Sequence, residues 1–264
     1  MDKTQTKPQK QEKYQYPSEE VTLPSKGLLY SKGSPLRKGF VEMKYMTARE
    51  EDILTNQNYI KNGTVIDKLM QSLIITPINY DSLLIGDKNA ILVAARILGY
   101  GQKYNFGYPH PVTGETEEIS VDLTEAKDKE LDESLVKDGK NEFEFTLPIS
   151  KTLITFKLLD QKDEQDIVNE MKGLKKINKD SSPEVTTRMK HTILSVNGNY
   201  EKKAIRDFVD NAFLARDSRA FRDYILEIMP DIDLHYDIEF SDGLTKDDVM
   251  VPIGVGFFWP DVGV

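Results

Sequence analysis

The sequence predicts an α+β fold: a mainly helical core with projecting antiparallel β-hairpins, behind a disordered N-terminal arm. Three observations predict it. Apolar residues recur at helical spacing in several windows, alternate with period two in several others, and thin out in a leader rich in Lys and Gln. The 264 residues suffice for one large or two small domains without covalent staples, and none is available because the chain has no cysteine. That absence removes disulfides, thiolate nucleophiles and sulfur-ligated zinc, and it fits folding in a reducing cytoplasm.

Residues 1–20, with Pro8 and Pro17, form the arm, too polar to offset chain entropy by burial. From 21 to 123 the pattern predicts an N-terminal helical unit with a hairpin. Leu23-Pro24-Ser25-Lys26-Gly27 and Gly33-Ser34-Pro35 are turn-rich, and Val41, Met43 and Tyr45 then alternate with polar residues as a half-buried strand. Thr47-Ala48-Arg49-Glu50 is a capping box that starts a helix running to about Ile60. Asn62-Gly63 stops it, and Ile66, Leu69, Met70 and Leu73 mark a second helix. Asp87 as cap and Gly99 as stop enclose a third, apolar nearly all round. Arg96 within it reads as a snorkelling edge residue, with a buried ion pair as the alternative. Tyr104, Phe106 and Tyr108, then Ile119, Val121 and Leu123, flank a turn at His110-Pro111-Val112-Thr113-Gly114 as a hairpin.

Residues 124–142 read as an acidic linker, either exposed or a solvated helix. Residues 143–264 are expected to hold a hairpin, a helical unit and a C-terminal hairpin. Phe143, Phe145 and Leu147 face Ile154, Phe156 and Leu158 across Pro148-Ile149-Ser150-Lys151. Helical stripes follow at Ile167/Val168/Met171/Leu174, Val185/Met189/Ile193 and Ala204/Ile205/Phe208/Ala212. A last helix, introduced by Asp217-Ser218 and carrying Phe221, Tyr224, Ile225 and Ile228, is stopped by Pro230. Leu234 to Phe240 and Val249 to Ile253 alternate as the closing hairpin. The hairpins near 103–123 and 234–253 each follow a helix end, which suggests a weak internal duplication.

Lys plus Arg is 35 against 44 for Asp plus Glu, a net charge of −9, which argues against phosphate-backbone binding as the main activity. No apolar h-region follows Met1, Asp2 excludes myristoylation, and the apolar run Ala90 to Leu98 is under half the roughly 20 residues of a spanning helix. The expectation is therefore no nucleic acid, no membrane and no small-molecule substrate. His110, His191 and His235 lack ligand spacing, so no metal is expected. Asp231-Ile232-Asp233 could hold a hard cation, but reads more simply as a solvated helix exit. Neither Gly99-Tyr100-Gly101 nor Gly254-Val255-Gly256 extends into a dinucleotide fingerprint, and no phosphate-binding P-loop or nucleophile-elbow motif occurs. No cofactor and no catalytic residue is nominated; a dispersed metal-dependent enzyme site is the distant alternative.

Two segments are candidates for contacting a partner. Arg216, Arg219 and Arg222 form the densest basic cluster; either they pair along the helix with Asp223 and Glu227, or they form an arginine edge for an acidic surface. Phe257, Phe258 and Trp259 either close a strand onto the core or anchor a neighbouring protein.

Five phrases carry a resemblance: Leu23-Pro24-Ser25-Lys26-Gly27; Tyr45-Met46-Thr47-Ala48-Arg49-Glu50-Glu51-Asp52-Ile53-Leu54; Leu84-Ile85-Gly86-Asp87-Lys88-Asn89-Ala90; Leu214-Ala215-Arg216-Asp217-Ser218-Arg219; and Phe257-Phe258-Trp259-Pro260-Asp261. In this order, over residues 22 to 261, the chain resembles the baseplate hub proteins of T-even-like contractile-tailed bacteriophages. The resemblance implies a non-enzymatic part in building the tail baseplate hub through contacts with other hub or tail proteins. The subunit would be made in the host cytoplasm and reside in the virion, or act as a transient assembly chaperone that leaves. Family members can carry paired cysteines at hairpin turns, suggestive of zinc ribbons. Here Pro109-His110-Pro111 and Ser241-Asp242-Gly243 stand there, so the hairpins must hold by packing and turn geometry.

Overall fold

The computed structural model describes residues 17–137, 139–177, 183–253 and 255–258. Alternating Val41 and Met43, both buried, place strand β2 (Phe40–Lys44) on the core, where it pairs antiparallel with β1 (Ser18–Thr22). Ser18 to Glu20 were expected in the disordered arm but take part in this ladder; the rest of the arm, up to residue 16, lies outside the described residues. The helix expected from Thr47 to Ile60 is two, α1 (Ala48–Leu54) and α2 (Gln57–Asn62), because Asn56 caps the second through the N–H groups of Asn58 and Tyr59. Gly63, with φ of 69°, ends α2, and α3 (Val65–Leu73) buries Val65, Leu69, Met70 and Leu73.

The most enclosed helix is α4 (Ile85–Tyr100), which leads into the hairpin of β3 (Lys103–Pro109) and β4 (Thr116–Asp122). Two readings of α4 are corrected. Leu84, not Asp87, is its cap residue, and Asp87 turns its carboxylate away from the helix. Arg96 is only 2% exposed, so it does not snorkel, and among the described residues it pairs with no acid: it donates to the carbonyls of Gly101 and Lys103, with the Tyr100 and Tyr104 rings close by. Residues 124–142 are more than a linker, for β5 (Lys127–Lys129) lies within them and Leu131 is buried.

The second half begins with β6 (Phe143–Thr146) and β7 (Leu153–Phe156). Helices α5 (Gln161–Ile177) and α6 (Glu184–Thr192) follow; Ile193, expected on the last turn of α6, instead opens β8 (Ile193–Val196), the third strand of the β6-β7-β8 sheet. Then come α7 (Lys202–Asn211), α8 (Ala215–Ile228), β9 (Asp231–Asp233) and the hairpin of β10 (His235–Glu239) and β11 (Thr245–Met250). Strand β9 pairs antiparallel with β5, joining the end of α8 to the first half. One contiguous apolar core runs from Leu23 to Phe258.

The two halves solve the same local problems with the same residue types. At the end of β1 and its turn comes Thr22-Leu23-Pro24-Ser25-Lys26, and at the end of β6 and its turn comes Thr146-Leu147-Pro148-Ile149-Ser150-Lys151. Leu23 N–H donates to Gly39 O and Leu147 N–H to Thr152 O, both at 2.9 Å, and Lys26 and Lys151 both have positive φ. Met43 pairs with Ile74 and Phe156 with Ile193. One residue on, Lys44 pairs with Glu50 at 2.8 Å and Lys157 with Asp163 at 2.7 Å, and each acid reaches back three residues to the N–H of Thr47 or Asp160. Leu84 caps α4 and Leu214 caps α8, and three residues on in each lies a fully buried aspartate.

Candidate interaction surface

Those aspartates show how buried charge is used. Asp87 accepts Ser25 N–H at 2.9 Å, the Ser25 hydroxyl at 2.6 Å and the Tyr30 hydroxyl at 2.6 Å, and Tyr30 in turn accepts Leu84 N–H at 3.0 Å. Burial pushes the Asp87 carboxyl up, and the Ser25 and Tyr30 bonds only partly offset it. Asp217 accepts the N–H groups of Ile149 and Ser150 at 2.7 and 3.0 Å. Burial works to raise it, but those backbone bonds outweigh the effect and hold it below the usual carboxylate range. Each carboxylate latches a hairpin turn onto a helix start.

Backbone fit supports the same joints. Gly27, at φ of 74°, packs so that an added Cβ would lie 2.6 Å from the carbonyl oxygens of Leu36 and Arg37. At Gly86 a Cβ would lie 1.8 Å from Pro230 O, so only glycine lets the chain leaving α8 cross α4. Beside it, Asn89 Nδ2 donates to Asp231 at 3.0 and 3.3 Å.

The two acids of Asp231-Ile232-Asp233 do not converge: Asp231 turns to Asn89 and Asp233 accepts from His235. His191 meets Glu170 at 3.0 Å. Among the described residues no group of three or more His, Asp or Glu could hold a metal ion. His110 serves a joint between hairpin tips. Its Nδ1 accepts from Val112 and Thr113 N–H, which leaves the proton on Nε2, facing Asp242 at 3.4 Å. Its ring packs 4.7 Å from Phe240, and Ser241 N–H donates to Glu117.

A cleft of about 770 Å³ between α3, α4 and α5 is spanned by a closed network. Lys88 bridges Asp67 and Gln161 at 2.7 Å each, and Gln161 and Tyr80 also donate to Asp67. Each member already has a partner in the others.

Of the residues nominated for partner contact, the structure brings three together in the open and takes two inside. Arg216, Arg219 and Arg222 are all exposed on α8. Arg219 meets Asp223 at 3.9 Å, with both side chains largely in solvent, a weak pair. Leu226 and Leu214, 58% and 46% exposed, flank the cluster. Beside it, Leu158, Met189, Ile225, Leu226, Met229 and Arg222 line a groove of about 310 Å³ that sequence reasoning missed, since its walls come from four separate stretches, Ile85 being the fourth. Phe257 and Phe258 are 1% and 0% exposed, in a helical turn rather than a strand, and Phe257 packs edge-on to Tyr104 at 4.8 Å. They serve the core in this structure; Trp259 lies outside the described residues.

The picture is of an α+β protein whose buried acids are held by its own hydrogen-bond donors, with a charged helix edge and an apolar groove open to solvent. A family model described as T4 bacteriophage base plate protein matches residues 18–251, and the chain belongs to that family. It is thus a T4-like phage baseplate protein, one that meets other baseplate proteins in the virion tail. No curated protein and no solved structure matches it. No helix among the described residues is long and apolar enough to cross a membrane.

Proposed function

We propose that this chain is a non-enzymatic subunit of the baseplate hub, made in the host cytoplasm, that takes part in baseplate and tail assembly through protein contacts. The observation that carries the reading is the α8 edge, where three arginines stand in solvent beside an apolar groove while neighbouring Asp217 is withdrawn to hold a turn. Basic and apolar groups side by side suit a protein interface, with arginine favoured in such contacts. The buried acids support the reading because each has a structural duty.

Quantitative mass spectrometry of purified tails tests it. Stoichiometric presence in mature particles is expected. Presence in infected-cell lysate alone would replace the subunit by a transient assembly chaperone, and a purified chain that turns over a substrate and loses that activity on one point substitution would overturn the non-enzymatic reading.

A further inference from the structure

Helices α4 and α8 can be aligned through their Leu caps and buried aspartates, so that each residue of one corresponds to the residue 130 positions on. Gly86 then matches Arg216, Asn89 matches Arg219, Leu92 matches Arg222, Val93 matches Asp223 and Arg96 matches Leu226. On α4 all five positions are buried or half-buried; on α8 all five are exposed. Part of what covers the α4 face is the chain's own. It is Pro230-Asp231, the acidic extended chain leaving α8, with Pro230 O against Gly86 and the Asp231 carboxylate on Asn89.

We infer that the Arg216, Arg219 and Arg222 face of α8 is the docking site for an extended acidic segment of another baseplate protein, laid across α8 as residues 230–231 are laid across α4. The inference rests on the proposed role as an interaction subunit. Charge complementarity names the occupant. Where α4 offers a neutral amide to Asp231, α8 offers guanidinium forks whose planar donors fit carboxylates two bonds at a time. Gly86 lets a backbone touch α4, whereas Arg216 holds the incoming chain off by a side-chain length, so α8 binds it through carboxylates rather than backbone contact. The groove beside Leu226 gives an apolar side chain next to the acids a place to go.

Site-specific photo-crosslinking in assembling full-length baseplates tests this. A benzophenone residue replaces Asp223, which is exposed on the same face and leaves the three arginines in place, a second variant carries it at the hairpin-tip Val112, which is 80% exposed, and the captured partner peptide is sequenced. Capture at 223 of an extended segment with at least two acids around an apolar residue is expected. In a baseplate pulldown, Arg219→Glu is expected to lower partner recovery about tenfold and Arg219→Lys about twofold. A neutral or basic peptide at 223, or capture at 112 with none at 223, overturns the inference and leaves the hub reading standing. No capture of a baseplate protein from either position sinks both.

Discussion

Glu50→Gln is the perturbation whose cost the structure sets most directly. The Glu50 side chain is wholly buried and accepts Lys44 Nζ at 2.8 Å, the Thr47 hydroxyl at 2.6 Å, Thr47 N–H at 3.0 Å and the Ser72 hydroxyl at 2.7 Å. Burial alone would raise its carboxyl, but the bonds from Lys44, Thr47 and Ser72 outweigh it and bring the pKa down from 4.5 to about 2. If the whole difference reached stability it would be worth about 3 kcal/mol at neutral pH. Lys44 is 18% exposed, and solvent around it screens part of the attraction, leaving about 2 kcal/mol. Because the folded-state value is depressed, this stabilisation is fully present above the unfolded value of 4.5 and drains away as the pH falls towards 2. Urea titrations of the wild type and Glu50→Gln should therefore differ by about 2 kcal/mol near pH 7, the difference shrinking steadily below pH 4.5. A gap that stays constant, or widens on acidification, refutes the reasoning.

Three further substitutions probe the joints between elements. Gly86→Ala drives a methyl into Pro230 O and should cost about 3 kcal/mol, seen as a lowered midpoint in thermal denaturation followed by circular dichroism. Tyr30→Phe keeps the ring but takes one donor from Asp87 and the acceptor from Leu84 N–H; a loss of about 2 kcal/mol in urea titration is expected, and a neutral outcome would mean the latch is not formed. Phe257→Ala removes a ring that is 1% exposed and should cost about 3 kcal/mol, so weaker partner binding after deleting residues 257–264 counts as an interface effect only if the unfolding midpoint is unchanged.

Hydrophobic period made most elements legible. Val41 and Met43, the apolar run of α4, and the stripe of α8 each sit where their spacing puts them, because side-chain direction along a helix or strand is local. What escaped was decided by long-range partners. Strands β5 and β9 have three residues each, too few for a period to be read; they exist because residues 127–129 and 231–233 meet across the fold. Ile193 fits the stripe of α6, yet leaves it to pair with Phe156, tertiary pairing overriding local propensity. Arg96 was judged by its charge, whereas the carbonyls of Gly101 and Lys103, just past the end of α4, accept from its two terminal nitrogens within the fold. For the site, the arginines of α8 were visible as a dense basic cluster, but their exposure was not, since it depends on what fails to cover that helix. For the aromatic tail both a place on the core and an anchor were open, and the ring of Tyr104 gives Phe257 a place within the chain's own core.

The two aspartate latches also bear on the order in which the polypeptide matures. Ser25 and Asp87 are 62 residues apart, and Ile149 and Asp217 are 68 apart, so each latch closes within its own stretch of sequence and neither needs the other. During synthesis the first can snap shut while everything beyond α4 is still being made, and the second repeats the event later. The crossing of Pro230 over Gly86 waits for α8 to emerge, and it ties the later piece to the earlier one.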